Sequence, residues 1–355
     1  GTRLAFGPGP VTPTTAPSEP AIALSGVSRQ FGDMWAVRDL TMDVPAGTIL
    51  GVIGPSGSGK TTTIRMLTGT LHPSGGTLRV LGEEPARFHT RTRERIAYMP
   101  QSFSLYPDLT AGENVGFVAA LYGFSWFGRE KRIKQALELV DMLDKRNRLA
   151  RDLSGGEQRR LELACAIVHQ PSVLFIDEPT AGLDPMLRQS IWQELRDMRD
   201  EGRTLLITTQ IVSEAAYCDN VALLADGELV SLAQPEELRR SVFGGDVIQV
   251  QVDRPVQPDV LAGVEQVTSV RQPAPQRLDV VVDDAGAASP RIADALKSAG
   301  VGMASMQEYQ PTFDDVFTEL VSRRRAENGN GKANGHTTEA RQAQLLAAQQ
   351  ESDRG

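Results

Sequence analysis

Cysteine and histidine are scarce in this 355-residue chain, which has two of the first and four of the second. Cys165 and Cys218 both fall in helix-like patterns, so they read as buried free thiols in a reducing compartment rather than a disulfide. No apolar run approaches the roughly 18–20 residues that a membrane-spanning helix needs. The first residues do not show the charged-then-apolar pattern of a signal peptide. A membrane role is therefore expected only through a partner. Basic charge is not in excess either: the formal net charge is −8 and the pI about 5.2. No nucleic-acid partner is expected from such a balance. What is there is ordinary for a globular protein, with 40 % hydrophobic and 23 % charged residues. The length allows one large domain and a smaller one.

Residues 1–20, rich in Pro, Thr, Gly and Ala, read as a flexible leader. From 21 to 240 strand and helix signals alternate, which predicts an α/β domain. Thr48–Ile53 predicts a buried strand, and 60–71 a helix after it. A helical subdomain is expected at about 102–165, with Leu137, Val140, Met142 and Leu143 at helix-like spacing. Strands are expected at 173–176, 204–208 and 220–225, with a hairpin turn at Asp226-Gly227. Composition shifts near Phe243-Gly244-Gly245. Residues 245–323 predict a small α+β domain of ferredoxin-like order: strands Val247–Val252 and Leu278–Val282, helix Pro290–Ala299, strand Val301–Tyr309 and a closing helix from Phe313. From 325 to 355 Asn, Gly, Gln, Ala and Glu predict a disordered tail.

Three strings carry chemistry. Gly54-Pro55-Ser56-Gly57-Ser58-Gly59-Lys60-Thr61 matches the phosphate-loop pattern in a strand–loop–helix context. Its glycines let backbone N–H groups converge, and the following helix adds its positive end. Lys60 is expected to reach the β- and γ-phosphates of ATP, Thr61 to ligate Mg²⁺, and Thr62 to add a phosphate contact. Asp177 and Glu178 close an apolar run, so a buried strand delivers two carboxylates to the sheet edge where ligands bind. Asp177 is the expected metal ligand and Glu178 the general base for the attacking water. A helix N-terminus with acids beside Pro179 is the competing explanation. Leu153-Ser154-Gly155-Gly156-Glu157-Gln158 fits a capping box, Ser with Glu three residues on. Two exposed glycines at a helix start lower stability relative to alanine, which suggests that something needs bare backbone there; cap and anion site are compatible.

In this order the three strings resemble the ATP-binding subunit of an ABC transporter, over about residues 22–240. The resemblance implies a P-loop ATPase core with an inserted helical subdomain. It implies that Ser154, Gly155, Gly156 and Gln158 face a nucleotide held on the phosphate loop of a second such subunit, identical or related. Phe31 would stack on adenine, with Trp35 a weaker candidate and an ordinary core position the alternative. Gln101 would touch Mg²⁺ and the attacking water. Asp184, in Gly182-Leu183-Asp184, would lie along the seam between subunits or serve as a local cap. The expected partners are that second subunit and a multi-spanning membrane permease, with Leu105, Tyr106 and Leu109 as contacts. The chain would then sit on the cytoplasmic face of the membrane.

One position departs from the family pattern. Gln210, in Thr208-Thr209-Gln210, stands where most such subunits have a histidine that contacts the γ-phosphate. An amide can donate to phosphate but cannot shuttle a proton. Either hydrolysis slows here, making a regulatory ATP-binding subunit, or Glu178 carries it alone. A non-transport ABC ATPase is a further alternative. Arg159-Arg160-Leu161-Glu162, Glu214-Ala215-Ala216 and Pro311-Thr312-Phe313-Asp314-Asp315-Val316-Phe317 resemble the ABC-2, daunorubicin-resistance type of exporter. The transported compounds would then be drugs, lipids or other hydrophobic molecules.

Overall fold

The structure is a computed structural model that describes residues 19–329, apart from 103–104, 125 and 310–311. The expected leader as far as residue 18, Pro311 and the tail from 330 onward lie outside the described residues, while 325–329, expected to be disordered, continue the closing helix to Gly329. The chain forms two compact units that divide after Leu232.

In chain order the first unit runs β1 (Ile22–Phe31), β2 (Met34–Val44), β3 (Ile49–Ile53), α1 (Lys60–Leu67), β4 (Gly75–Val80), α2 (Thr90–Arg93), β5 (Ile96–Met99), α3 (Ala111–Leu121), α4 (Trp126–Leu139), α5 (Gly155–Ile167), β6 (Val173–Asp177), α6 (Pro185–Asp200), β7 (Thr204–Thr209), β8 (Asn220–Ala225) and β9 (Glu228–Ala233). A three-stranded antiparallel sheet has the order β2-β1-β4. A six-stranded sheet has the order β5-β6-β7-β3-β8-β9 and is parallel from β5 through β8. Every residue of β3, β6 and β7 is buried. Such continuous apolar runs suit parallel strands covered on both faces. Burying each Val, Leu or Ile contributes roughly 1.5–3 kcal/mol, so the carboxyl ends of these strands are fixed by the core behind them.

Asp226 and Gly227 have φ of 53° and 83° and close the β8–β9 hairpin as expected. α1 stops at Leu67, short of the predicted 71, because Gly69 turns to a φ of 75° and closes the end: Gly69 N donates to the Met66 carbonyl and Thr70 N to the Arg65 carbonyl, which the Thr68 and Thr70 hydroxyls also reach. Both cysteines are buried and free. Burial pushes the Cys165 thiol up to about 12. Cys218 follows a 3₁₀ turn at Val212–Tyr217 rather than lying within a helix. No helix among the described residues is long and apolar enough to cross a membrane.

The second unit comprises α7 (Pro235–Phe243), β10 (Asp246–Val252), β11 (Val267–Ala274), β12 (Arg277–Val282), α8 (Ala285–Ser298), β13 (Met303–Tyr309) and α9 (Phe313–Gly329). The sheet order β11-β12-β10-β13, with all neighbours antiparallel, is ferredoxin-like. The helix that should follow its first strand is reduced to a 3₁₀ turn at Pro258–Leu261. Ile248, Val250, Leu278 and Val280 pack against Ile292 and Leu296 of α8. α7 belongs to this unit, although the composition shift follows it: its Val242 carbonyl accepts from Arg323 Nη2 at 2.7 Å. α8 begins at Ala285, ahead of the predicted Pro290, because Asp284 caps it by accepting from Ala287 N at 2.8 Å. The closing motif is a cap as well: Asp315 N donates to Thr312 Oγ1, and Thr312 N to Asp315 Oδ2.

Candidate active site

Four neighbouring strands of the six-stranded sheet deliver the candidate residues to one edge. β3 runs into the glycine loop, β5 into Gln101, β6 ends at Asp177, and β7 is followed by Gln210. The loop that follows β3 is tightly seated. A Cβ on Gly54 would lie 2.2 Å from the Leu224 carbonyl oxygen, and Gly59, at φ 102°, sits against Ala36. Gly59 occupies the N-cap of α1, no described side chain caps that helix, and its first turn carries no acid. Its leading N–H groups and its positive dipole end are thus not served by a cap, the arrangement an anion requires. Ser58 Oγ is buried without a hydrogen-bond partner among the described residues. Thr62 is buried within α1. Lys60 is 5 % exposed and donates to the carbonyls of Gly54 and Pro55 at 2.8 and 3.1 Å. Burial pulls its ammonium below the ordinary lysine value, against the opposing pull of Glu178 and Asp177.

Asp177 is buried, and its two oxygens are taken by two hydroxyls. Thr61 Oγ1 donates to Oδ2 at 2.9 Å, and Thr208 Oγ1 donates to Oδ1. Thr208 was not singled out from the sequence; a threonine closing the strand beside the acid was the available signal. Its hydroxyl is one of two groups that make a buried charge tolerable. Thr208→Val is therefore expected to lower folding stability by about 2 kcal/mol, read from the midpoint of urea unfolding. Thr61 and Asp177 form a pair of hard oxygen donors, the type that Mg²⁺ favours.

Glu178 has a φ of 49°, a left-handed backbone for a residue with a side chain. Its carboxylate is approached from three sides. Gln101 Nε2 donates to Oε2 at 3.0 Å, Gln210 Nε2 donates to Oε1 at 2.7 Å, and Lys60 Nζ lies 3.7 Å from Oε1. Gln210, the departure from the family pattern, thus contacts the candidate base itself. The histidines lie elsewhere. His169 Nε2 donates to the Ile96 carbonyl, at the opposite end of β5, and its ring stacks on Tyr122; His72 and His89 are exposed; His336 lies outside the described residues.

The signature string opens α5 with the capping box read from its sequence. Glu157 N donates to Ser154 Oγ, and Ser154 N donates to Glu157 Oε2 at 2.8 Å. Lys145 Nζ sits 2.6 Å from Glu157 Oε1, and that contact, with the Ser154 backbone, holds the carboxyl down at about 2. The two glycines differ. Gly155 is exposed, and a Cβ there would meet nothing within 4 Å. Gly156 is buried, contrary to the expectation of two exposed glycines: a Cβ would lie 2.5 Å from Leu187 Cδ1 of α6, so a side chain there would push Leu187 aside. Gln158 turns its amide to the carbonyls of Ala150 and Leu153. Asp184 is the N-cap of α6, accepting from Met186 N and Leu187 N.

Phe31 is 7 % exposed and packs with Ala36, Met34 and Leu71, with the Arg29 guanidinium 4.5 Å from its ring centroid. An adenine stacked there has to displace Arg29. Trp35 is half-buried, with Arg38 above its ring at 5.7 Å.

The chain as a whole is similar to known proteins. The ABC transporter family matches residues 37–181, and the C-terminal domain of DrrA1-3-like ATP-binding proteins matches 234–321. The daunorubicin/doxorubicin resistance ATP-binding protein DrrA of Streptomyces peucetius is 35 % identical over 306 residues, 85 % of this chain and 92 % of that protein. The Nod factor export ATP-binding protein I of Burkholderia lata is 38 % identical over 230 residues, 64 % of this chain and 76 % of that protein. Among solved structures, cbiO1 of Clostridium perfringens, part of the ABC transporter complex cbiONQ, has a TM-score of 0.59 at 26 % identity, covering 64 % of this chain and 94 % of that one. The ATP-binding cassette MJ0796, a dimer bound to ADP and Pi after hydrolysis, has a TM-score of 0.55 at 26 % identity, covering 60 % and 98 %. With both its core and its C-terminal domain matched, the chain belongs to the family of ABC transporter ATP-binding proteins, in the group that carries the DrrA-like C-terminal domain.

Proposed function

We propose that this chain is the ATP-hydrolysing motor of an exporter, working as a pair of ATP-binding subunits on a separate membrane permease at the cytoplasmic face. The observation that carries the reading is the Glu178 carboxylate, buried beside Lys60 at the mouth of a phosphate loop and held by an amide on each oxygen.

The N–H groups of residues 57–61 and the Lys60 ammonium receive the β- and γ-phosphates of ATP; Lys60 exchanges the Gly54 and Pro55 carbonyls for phosphate oxygens. Thr61 and Asp177 are the residues that would hold Mg²⁺, with Gln101 at its edge. Bound there, the ion would neutralise charge on the β- and γ-phosphates. Glu178 takes the proton of the attacking water, while Gln101 and Gln210 orient the carboxylate and the water. Phe31 offers its ring to adenine once Arg29 moves aside. Ser154 and Gly155 of a second chain, facing the γ-phosphate, complete the site. The dimeric state of the MJ0796 cassette supports this pairing. Loss of the γ-phosphate removes the bridge and shifts the pair toward its open state.

A surface for the permease lies on the helical subdomain. Tyr106, Phe117 and Leu121 are exposed, and Tyr106 and Phe117 meet edge to face at 4.9 Å. Beside them a cavity of about 730 Å³ between α3 and α4 is lined by Gly116, Phe117, Ala120 and Ile133. Leu105 and Leu109 are half-buried, so Tyr106 is the stronger contact of the three residues expected from sequence. The cargo class, drugs or other hydrophobic compounds, is inferred from the names of the daunorubicin-resistance and Nod-factor relatives.

One observation favours a second reading, an ATP-binding switch with little turnover. Both Glu178 oxygens are already engaged by amides, and neither amide relays a proton. Phosphate release by the complex that the chain forms with its co-purifying membrane protein decides between them. A turnover well above that of the Glu178→Gln complex supports the motor; equal turnover establishes the switch; absence of any multi-spanning partner overturns the transporter reading.

A further inference from the structure

Arg159 lies on α5, five residues beyond Ser154, and marks only a subgroup in the sequence. Its guanidinium is 12 % exposed. Nε donates to the Pro179 carbonyl at 2.9 Å. Nη2 donates to the carbonyls of Glu178 and Asp177 at 3.0 and 3.3 Å. Nη1 reaches Glu162 Oε2 at 2.6 Å and the Gln101 carbonyl at 3.4 Å. A guanidinium has five N–H donors in a fixed plane, and this one directs a donor to each of five acceptors.

The choice of acceptors is informative. Three are consecutive carbonyls where β6 has ended and Glu178 takes its left-handed φ of 49°. The fourth belongs to Gln101, whose side chain grips the Glu178 carboxylate. Two of the backbone segments that aim the candidate base, residues 177–179 and Gln101, are thus tied to one side chain, while Gln210 holds the carboxylate from the β7 side. The Arg159 side chain stands on the helix that also begins with Ser154. Between Ser154 and Arg159 lie about one and a half turns, roughly 7.5 Å of helix at 1.5 Å per residue. The capping box and the Lys145–Glu157 pair hold the outer end of this segment. A small shift of the Ser154 end is therefore carried by a stiff helix to the peptides that bear Glu178 and Gln101.

We propose that Arg159 is a positioning residue that couples the Ser154 end of α5 to Glu178 and Gln101 of the same chain, so that engagement of the signature string at one nucleotide site sets the base at the other. The proposal rests on the two-chain reading above. It gives the pair a route for communication between its sites that does not pass through the phosphates.

The test uses the full chain in complex with its membrane partner. Arg159→Met and Arg159→Lys are compared with wild type, with Glu178→Gln and Ser154→Arg as references for the underlying reading. ATP affinity, kcat, the Hill coefficient of ATP-dependent phosphate release and the melting temperature are measured. Arg159→Met is expected to keep its ATP affinity within about twofold and to lose kcat by about tenfold to a hundredfold, the scale of a small misplacement of a catalytic group. Its Hill coefficient should fall toward 1. Arg159→Lys should not restore either property, because a single ammonium cannot span five acceptors in a plane. Wild-type kcat and cooperativity in Arg159→Met overturn the proposal. So does a loss of kcat matched by equal losses of ATP affinity and melting temperature, which is the mark of a merely structural role. If Glu178→Gln and Ser154→Arg themselves keep wild-type turnover, the two-chain reading fails and this proposal with it.

Discussion

Glu178→Gln is expected to reduce ATP turnover by about 10²–10⁴-fold, the usual contribution of a positioned general base. ATP binding should be retained. The substitution barely changes shape, but it removes the proton acceptor. It also disturbs the clamp. In the wild type both carboxylate oxygens accept, one from Gln101 and one from Gln210. A glutamine offers one acceptor and one donor group, so one of the two amides must flip or let go. Phosphate is then cleaved slowly while ATP still bridges the chains, and an ATP-dependent dimer should accumulate on a sizing column. Turnover within threefold of wild type would show that the water is activated by another group, and would remove Glu178 from the mechanism.

The second large effect is expected at Ser154. Ser154→Arg should leave ATP binding by the single chain within about twofold of wild type, yet bring turnover of the complex down to the Glu178→Gln level. The physical argument is position: Ser154 is exposed at the start of α5, beside the open Gly155, and caps that helix. Losing a serine cap costs about 1 kcal/mol, so a cap role and a ligand role must be separated. Ser154→Asp does this. Aspartate is as good a cap as serine, but it sets a negative charge opposite phosphate. An inactive Ser154→Asp complex with normal folding identifies an anion site. An active one reduces the string to a cap.

The placement of the candidate site was more legible in the sequence than the packing around it. The strand–loop–helix around Lys60 and the apolar run into Asp177 were readable because each couples a local backbone pattern to a residue type. The strand and helix succession suggested the ferredoxin-like order of the second unit with only three of its four strands read. β11 was not seen, since Val267–Ala274 is a polar, largely exposed strand at the sheet edge and carries Pro273. The start of α8 was misplaced for a related reason. Proline usually opens a helix, but here Pro290 lies inside one. The packing role of Gly156 depends on Leu187, a residue of another helix. Phe31 could be recognised by position, yet its burial with Arg29 depends on how β1 pairs with β2. Thr208 and Arg159 lie in strings that were read for other residues or for the subgroup, and nothing local pointed to their own contacts. Their importance comes from tertiary placement, which sets β7 next to β6 and brings Arg159 of α5 to the carbonyls of residues 177–179.

The cap on α5 has a consequence for the speed of the cycle. A hydroxyl has two lone pairs and one proton. Ser154 accepts from its own helix, and its proton is not needed for that bond. The same side chain can therefore finish a helix and donate to a ligand at once. Nothing has to unravel when a nucleotide arrives, and nothing has to refold when it leaves. Closure and opening are then movements of rigid pieces, in the microsecond-to-millisecond range of domain motion, rather than cycles of local melting. Amide hydrogen exchange in the body of α5, from Gln158 onward, should be equally slow in the presence and absence of ATP if the proposed pairing opens and closes in this way.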